Sequence, residues 1–324
     1  MKKTLLILIT LILSIGASAA NKYDNPDTII VARDGTGEFR NIADAIEVCR
    51  AFMTYHKVIF VKKGVYKEKL IVPQWLTNIE ILGEDRDATI ITYDDHANIK
   101  NPDTGKGIGT FRSYTLRVEG SNITFRNITI ENNSARLGQA VALHTEGDKL
   151  VFVNCRFLGH QDTIYTGTPG TRLLFNGCYI EGTTDFIFGP STAWFENCEI
   201  KSRANSYITA ASTPQDQAYG YVFNNCRLTA EDGVTKVYLG RPWRDYGYTL
   251  FMNCNMGKHI RPEGWHQWKE GREKTARYAE YNNNGEGSQT AGRVEWSRQL
   301  TKKEAAKVTI QEIFTTKDSW TPAL

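Results

Sequence analysis

The chain has no marked excess of acidic or basic residues and no apolar stretch that could span a membrane beyond its first twenty residues. Its 39 basic and 36 acidic residues give a net charge of +3. Two of these charges, Lys2 and Lys3, lie in a segment that we expect to be removed, which leaves the mature chain nearly neutral. This balance gives no electrostatic argument for nucleic acid or an anionic membrane as a partner. With 41% apolar, 11% aromatic and 23% charged residues, the composition also excludes a disordered, collagen-like or coiled-coil chain.

Several catalytic and cofactor motifs are also missing from the sequence. It contains no Gly-x-Ser-x-Gly elbow, which argues against a serine esterase, and no phosphate loop or nucleotide fingerprint. His144 and His160 belong to neither a His-x-x-x-His nor a Ser-His-Asp arrangement, and we expect His160 to pack or hydrogen-bond beside Gln161 rather than to catalyse. No Cys-x-x-Cys supports zinc, and no acidic cluster is convincing for calcium. We therefore expect neither a cofactor nor a metal.

The first nineteen residues have the pattern of a secretory signal peptide. Lys2 and Lys3 form a basic start, residues 5–15 form a short apolar run, and residues 17–19 read Ala-Ser-Ala, a small-residue cleavage site. The apolar run is shorter than a membrane-spanning helix needs, although an uncleaved anchor is the alternative. The signal looks bacterial and predicts export to the periplasm or the extracellular space. We expect the remainder, residues 20–324, to be one catalytic domain.

Six cysteines in an exported chain would ordinarily suggest disulfides. Cys49 stands alone, but the other five each occupy the same place in a repeated phrase. An earlier copy of the phrase has Ile128 at that place, and a position that accepts Ile or Cys is typical of a small apolar core site. The pattern therefore favours buried free thiols over disulfides. The five phrases are Phe152–Phe157, Phe175–Ile180, Phe195–Ile200, Phe223–Leu228 and Phe251–Met256.

The repeated phrases also predict the fold. Counted from Ile128, they recur at intervals of 27, 23, 20, 28 and 28 residues, and each alternates apolar and polar residues at the period of a β-strand. Irregular periods of this length are typical of a solenoid whose coils differ in their loops. Strands that return in the same direction once per coil form parallel sheets. The sequence therefore predicts an all-β parallel β-helix.

Segments outside the repeat are expected to cover the solenoid. An amphipathic helix is predicted from Asn41 to Phe52, where it could cover the open N-terminal edge. The polar, Gly-rich residues 94–110 read as a surface loop. Residues 257–295 lose the repeat and are interpreted as a tail that wraps the barrel. Thr301 begins a capping-box pattern ahead of a short C-terminal helix.

The spacing from each repeated cysteine predicts which polar residues occupy equivalent positions on adjacent coils. Asp162 lies seven residues after Cys155, and Asp185 lies seven residues after Cys178, so the two carboxylates should occupy equivalent points on adjacent coils about 5 Å apart. Gln139 precedes Asp162 by 23 residues and is predicted to join the same column one coil earlier, with Gln161 beside it.

Two carboxylates that lie so close cannot ionise independently, so one should keep a proton while the other is charged. The pair would then supply an acid and a nucleophile or base from identical side chains. A solvent-facing ladder of turn aspartates is the alternative. The aromatic residues Tyr165, Phe186 and Phe188 beside them argue for a groove, because a sugar chain needs aromatic platforms and amide donors.

Five segments resemble the signature motifs of the pectin methylesterase family, also known as pectinesterases or carbohydrate esterases. They occur in the family's order and span most of the mature chain, and the opening Val31–Phe39 is similar to the family's first strand and turn. The five segments are Gly64–Glu68, Gln139–Leu143, Gln161–Tyr165, Asp185–Gly189 and Leu239–Trp243.

The resemblance implies a right-handed parallel β-helix that removes methyl groups from the galacturonate esters of pectin. It implies that Asp185 is the nucleophile and that Asp162 is the general acid and then the general base. Gln161 and Gln139 match amide donors to the oxyanion, and Arg241 matches the residue that keeps Asp185 charged and oriented. Methylated polygalacturonate would be the substrate, and a capped solenoid of this kind can be a monomer.

The resemblance also implies sugar contacts. Trp243, Tyr165 and Phe188 match aromatic residues that contact the substrate, and Thr115 keeps a position that matches the family's motif. The inserted Tyr114 and the changed segment 209–213 depart from plant members of the family. These departures leave the chemistry intact but prevent any transfer of subsite preference.

Other functions remain open at this stage. A retaining glycoside hydrolase also uses two carboxylates about 5 Å apart. A non-catalytic β-helical carbohydrate-binding protein would need none of the five polar residues. A pectate lyase is a weaker possibility because of the missing calcium cluster. Methanol release without shortening of the polymer separates the esterase from the others.

Overall fold

The computed structural model describes residues 21–322. The predicted signal peptide, residues 1–19, lies outside the described residues and stays a prediction. Among the described residues, no helix is long and apolar enough to cross a membrane.

Over the described residues, twenty-six short strands wind into a right-handed parallel β-helix with three sheets, which we call A, B and C. Sheet A has eleven strands: β1 (Ile29–Val31), β2 (Lys57–Val61), β5 (Thr77–Gly83), β8 (Ser121–Arg126), β11 (Leu150–Val153), β14 (Arg172–Asn176), β17 (Thr192–Glu196), β20 (Tyr221–Asn224), β23 (Tyr248–Met252), β25 (Arg277–Tyr281) and β26 (Arg298–Gln299). Sheet B has eight strands: β3 (Gly64–Lys67), β6 (Thr89–Tyr93), β9 (Thr129–Asn132), β12 (Arg156–Leu158), β15 (Tyr179–Gly182), β18 (Glu199–Ser202), β21 (Arg227–Ala230) and β24 (Asn255–Met256). Sheet C has seven strands: β4 (Leu70–Val72), β7 (Leu116–Val118), β10 (Leu143–Thr145), β13 (Ile164–Thr166), β16 (Ile187–Gly189), β19 (Tyr207–Ala211) and β22 (Tyr238–Gly240). The all-β solenoid predicted from the repeated phrases is therefore confirmed.

The repeated phrases pack as ladders inside the barrel. Their phenylalanines stack face to face on successive coils, with ring centroids 4.3 to 5.3 Å apart from Phe125 to Phe251. The cysteines of the phrases form a second ladder, and all six cysteines of the chain are buried and free. The prediction of buried thiols is thus confirmed, and the core is a column of identical side chains rather than a disulfide framework.

Asparagines fill the corner between sheets A and B. The residue before each ladder cysteine has a left-handed backbone, with φ between 50° and 54° at Asn154, Asn197 and Asn225. Asparagine adopts this conformation more readily than other residues with a Cβ. Its side-chain amide also bonds along the ladder, as from Asn154 to Asn127 at 2.9 Å. One coil departs from the pattern, because Gly177 stands where the others have asparagine.

The N-terminal helix is shorter than predicted. It runs over α1 (Ile42–Glu47) rather than to Phe52, and the side chain of Asn41 makes no capping hydrogen bond to the helix. The carboxylate of Glu68 caps it instead by accepting the N–H groups of Ile42 and Ala43 at 3.0 and 2.9 Å. The cap therefore comes from the next coil, which no local sequence pattern reveals.

The C-terminal part of the chain both extends and wraps the solenoid. The interpretation of 257–295 as tail was wrong in part, because β25 adds another parallel strand to sheet A and Asn282 continues the asparagine corner at φ 50°. The capping box at Thr301 is confirmed and begins α2 (Lys302–Ala305), which α3 (Ile310–Phe314) follows. Helix α3 packs on the outer face of sheet A through Ile313 and Phe314, and buried Arg172 binds Asp318 at 2.7 Å beyond the end of this helix.

Candidate active site

The two predicted carboxylates lie at equivalent positions on adjacent coils. Asp162 precedes β13 and Asp185 precedes β16, and these strands pair in parallel at the expected register. The N–H of Asp162 donates to the carbonyl of Thr184 at 3.0 Å, and the N–H of Asp185 donates to that of Tyr207 at 2.9 Å. Both aspartates have a left-handed backbone, with φ of 68° and 49°. Aspartate tolerates this conformation because its short polar side chain eases the strain. The prediction of neighbouring carboxylates is confirmed.

Arg241 binds one of the two carboxylates. Its Nε and Nη2 lie 3.0 and 2.7 Å from the two carboxylate oxygens of Asp185, a two-point contact that fixes the orientation of both groups. Arg241 follows β22 directly, and its own N–H donates to the carbonyl of Thr209 on β19 at 3.0 Å. The side chain of Asp185 is 6% exposed and that of Arg241 is 21% exposed, so water screens this pair weakly.

Electrostatics separates the roles of the two carboxyl groups. Burial raises the pKa of Asp162 well above its ordinary value, and the neighbouring charge of Asp185 raises that pKa further. Burial also raises the pKa of Asp185, but the hydrogen-bonded and positively charged Arg241 opposes this rise. When the pair holds one proton, the proton therefore resides on Asp162 and the negative charge on Asp185.

Gln139 and Gln161 occupy equivalent positions on adjacent coils, and Gln139 does not share a column with the two aspartates. The N–H of Ala140 donates to the carbonyl of Gln161, just as the N–H of Asp162 donates to that of Thr184 one coil later. By this pattern Gln139 lies opposite Gln161, and the predicted column of Gln139 with the aspartates was wrong by one residue.

A local irregularity in sheet C causes this shift. The N–H groups of Ala142 and Leu143 both donate to the carbonyl of Thr163, at 2.9 and 3.1 Å, so two residues of one coil face one residue of the next. The extra residue moves the preceding segment by one position. As a result both amide side chains, Gln139 and Gln161, border the same cavity as the carboxylates.

This cavity has a volume of about 220 Å³ and is partly open to solvent. It is lined by Thr110, Phe111, Gln139, Gln161, Asp162, Asp185, Phe188, Ala210, Trp243 and Trp268. Sequence reasoning missed Thr110, Phe111, Ala210 and Trp268. Trp268 comes from the region after the repeat ends, and Phe111 comes from the short 3-10 turn Thr110–Arg112 that closes the predicted surface loop 94–110.

Aromatic side chains form a row beside the cavity, although Tyr165 itself does not line it. The ring of Tyr165 lies 4.8 Å from Phe111 on one side and 4.8 Å from Phe188 on the other, measured between centroids. Phe188 in turn lies 5.8 Å from Trp243. The three aromatic residues that were expected to contact sugar therefore lie together beside the carboxylates, and Phe111 extends their row.

Thr115 does not belong to this surface, so its expected role in substrate contact was wrong. Its side chain is fully buried, and its hydroxyl donates to the carbonyl of Glu131 at 2.8 Å. Thr115 directly precedes β7, whose first residue, Leu116, packs in the core. Thr110 and Phe111, a few residues earlier, line the cavity instead.

The histidines take no part in the cavity. His144 is buried with its Nε2 2.6 Å from a carboxylate oxygen of Glu146, beneath the ring of Tyr165. His160 is half-buried beside Gln161, and burial together with nearby arginines lowers its pKa. Within residues 21–322, no group of three or more His, Cys, Asp or Glu side chains is arranged to hold a metal ion.

Comparison with known proteins gives a consistent match over this architecture. The family profile named Pectinesterase matches residues 28–317. Pectinesterase 31 of Arabidopsis thaliana is 38% identical over 281 residues, which covers 85% of this chain and 88% of that protein. A probable pectinesterase/pectinesterase inhibitor of Brassica napus is 36% identical over 311 residues and 91% of this chain. The chain spans about half, 51%, of the length of that relative.

The fold matches solved structures as well. The pectin methylesterase from carrot superposes with a TM-score of 0.82 at 32% identity, and the match covers 89% of this chain and 93% of that one. The range matched by the family profile, residues 28–317, includes the coils that carry Asp162 and Asp185.

Proposed function

The chain belongs to the pectinesterase family, and on that premise we propose that it hydrolyses galacturonate methyl esters in pectin to de-esterified pectin and methanol. The observation that carries the proposal is the unequal carboxylate pair. Asp185 is bound by Arg241 through both oxygens, whereas no side chain within residues 21–322 hydrogen-bonds the carboxyl of Asp162. Such a site has a charged nucleophile and a neighbouring acid in the same cavity.

In the first half of the reaction, a carboxylate oxygen of Asp185 attacks the ester carbonyl carbon. The carbonyl oxygen takes the electron pair and accepts hydrogen bonds from the amides of Gln139 and Gln161. The tetrahedral intermediate collapses, the bond to the methoxy oxygen breaks, and Asp162 gives its proton to that oxygen. Methanol leaves, and an anhydride joins Asp185 to the sugar.

In the second half, the charged Asp162 takes a proton from water while the water oxygen attacks the same carbonyl carbon. The glutamine amides again stabilise the oxyanion. The bond to Asp185 breaks, which restores its carboxylate beside Arg241 and releases the free galacturonate acid, whose proton goes to solvent. Asp162 is then protonated for the next cycle.

The surroundings of the pair support these roles. The amides of Gln139 and Gln161 are neutral, so they can stabilise an oxyanion without neutralising Asp185. The aromatic row of Phe111, Tyr165 and Phe188 provides apolar surface for pyranose rings near the ester. A small, partly open cavity can accept a side group of a polymer while the polymer chain itself stays outside.

We also propose that the protein is exported to the periplasm or the extracellular space and that it acts as a monomer. The basic start, apolar run and small-residue cleavage site within residues 1–19 support the export. Expression of the full chain, followed by mass measurement of the exported product, tests this proposal. A mature protein that begins near residue 20 is expected, and retention of residues 1–19 on an exported protein would contradict it.

The function itself is tested by two readings on highly methylated pectin. The wild-type protein should release methanol while the polymer keeps its length. Shortening of the polymer without methanol would identify a glycoside hydrolase, and binding without either change would identify a carbohydrate-binding protein. Fully de-esterified polygalacturonate serves as the control substrate, from which no methanol can be released.

A further inference from the structure

Arg241 is enclosed between two aromatic rings as well as bound to Asp185. Its guanidinium carbon lies 3.9 Å from the ring centroid of Tyr207 and 4.0 Å from that of Trp268. These are the two shortest cation–aromatic distances among the described residues, where the others range from 4.7 to 6.0 Å. The planar cation is therefore held on both faces while its edge faces the carboxylate.

Tyr207 contacts both members of the ion pair. Its ring lies on Arg241, and its backbone carbonyl accepts the N–H of Asp185 at 2.9 Å. Tyr207 is not among the residues that line the cavity beside the two carboxylates. Its other ring face stacks on Tyr238 at 5.2 Å with an interplanar angle of 10°, which fixes the ring from behind.

The second ring is also fixed by its surroundings. Trp268 has a left-handed backbone with φ of 67°, and its N–H donates to Nδ1 of His266 at 3.2 Å. The ring of His266 packs against both Tyr207 and Tyr238, at 5.6 and 5.4 Å. The two sides of the arginine are thus connected through one aromatic cluster.

We propose that Tyr207 and Trp268 form a clamp that holds Arg241 in its two-point contact with Asp185 and so keeps the nucleophile ionised and oriented. Tyr207 is a positioning residue, since it acts through Arg241 and touches no reacting atom. This inference rests on the proposed esterase function and adds two residues to it that the sequence motifs do not identify.

The clamp predicts a change in pH dependence. The ionised form of Asp185 attacks the ester, so the acid limb of the rate profile follows its ionisation. Asp162 and the buried phenol Tyr278 are the other titratable groups near Asp185, while Arg241 lowers its pKa. A looser Arg241 lowers that pKa less, so the acid limb moves to higher pH. His266 faces Arg241, but burial and the nearby arginines lower its pKa.

The test compares Tyr207→Leu, which removes the ring, with Tyr207→Phe, which keeps it. In Tyr207→Leu we expect kcat on methylated pectin to fall about tenfold and the acid limb to move up by roughly half to one pH unit. Tyr207→Phe should keep the wild-type limb. Tyr179→Leu is the matched control, because Tyr179 also contacts an arginine, Arg156 at 5.7 Å, but lies on sheet B.

Two further measurements separate positioning from general damage. In the Arg241→Gln background, Tyr207→Leu should have little additional effect on kcat, since there is no guanidinium left to hold. The side-chain Nε–H resonance of Arg241 should shift in Tyr207→Leu and stay in place in Tyr207→Phe. If Tyr207→Leu fails to fold, fluorinated phenylalanines at position 207 keep the shape of the ring and weaken its attraction for a cation. The acid limb should then move stepwise with fluorination.

An unmoved acid limb and an unmoved Arg241 resonance in folded Tyr207→Leu would overturn the clamp. An unmoved limb across the fluorinated series would do the same. These outcomes differ from failure of the proposed function, in which the wild-type protein itself releases no methanol.

Discussion

Replacing either glutamine of the cavity by leucine should lower kcat about 10²- to 10³-fold, which corresponds to about 2.7–4 kcal/mol for one lost oxyanion donor. The expectation follows from the observed register, in which Gln139 and Gln161 lie opposite each other on adjacent coils and border one cavity. Each amide can therefore reach the same oxygen of the ester. Because the oxyanion forms only during the reaction, KM should change much less than kcat.

The structure also predicts that these substitutions leave the fold intact. Neither amide side chain donates to or accepts from another part of residues 21–322, and both are half-buried, so no hydrogen bond of the protein is lost. Leucine has a similar volume and fills the same space. Thermal unfolding of Gln139→Leu and Gln161→Leu should therefore match the wild-type protein within a few degrees.

Initial rates of methanol release across a range of pectin concentrations provide the assay. Gln215→Leu is the matched control, since Gln215 is exposed in a loop away from the cavity. The reasoning fails if one glutamine variant loses activity while the other stays within about threefold of wild type. That result would mean that only one of the two amides donates to the oxyanion, although both border the same cavity.

Three further predictions concern stability. Asp162→Asn should abolish turnover. At pH values above the pKa of Asp162 it should also raise the melting temperature by about 2 °C, because burial raises that pKa and the buried carboxylate destabilises the fold once it has lost its proton. A gain in melting temperature that persists at acidic pH would contradict this. Gly177→Asn should raise the free energy of unfolding by about 1 kcal/mol, measured by urea denaturation, because φ is 63° and an added Cβ meets no atom, whereas Gly177→Ala should not stabilise. Asp318→Asn should speed proteolytic cleavage of the C-terminal tail, followed by mass spectrometry, because Asp318 ties the tail to Arg172; equal cleavage rates would show that the tail is held by its apolar contacts alone.

The repeated phrase predicted the solenoid and the carboxylate pair for one physical reason. The coils of a parallel β-helix can differ in their loops, but the core phrase must return to the same position on each coil. Residues shortly after Cys155 and Cys178 therefore occupy equivalent positions on adjacent coils. Asp162 and Asp185 each come seven residues later and therefore meet. Periodicity carries this information because the core tolerates no shift by one residue.

The errors occur where that register is interrupted. Gln139 is separated from the next phrase by the irregularity at Ala142, which no local pattern indicates. Trp268 follows the last full phrase, so nothing relates it to the coils that hold Asp185. Thr115 was assigned by its motif, which does not reveal that the side chain is buried and bonded to the carbonyl of Glu131.

The N-terminal cap has a similar explanation. Asn41 is a favourable residue for the start of a helix, but the free N–H groups of α1 bind the carboxylate of Glu68 instead. A cap supplied by the next coil depends on the three-dimensional fold. Sequence reasoning can identify the helix start while it misses the residue that satisfies it.

The nucleophilic role of Asp185 is tested by methanol release from highly methylated pectin by Asp185→Asn, with Asp216→Asn as control. Asp216 is an exposed aspartate in the loop after β19. Asparagine keeps the size of the side chain but cannot form the anhydride, so Asp185→Asn should release methanol at the background rate while Asp216→Asn and the wild-type protein turn over alike. Steady turnover by folded Asp185→Asn would contradict the assignment of Asp185 as nucleophile.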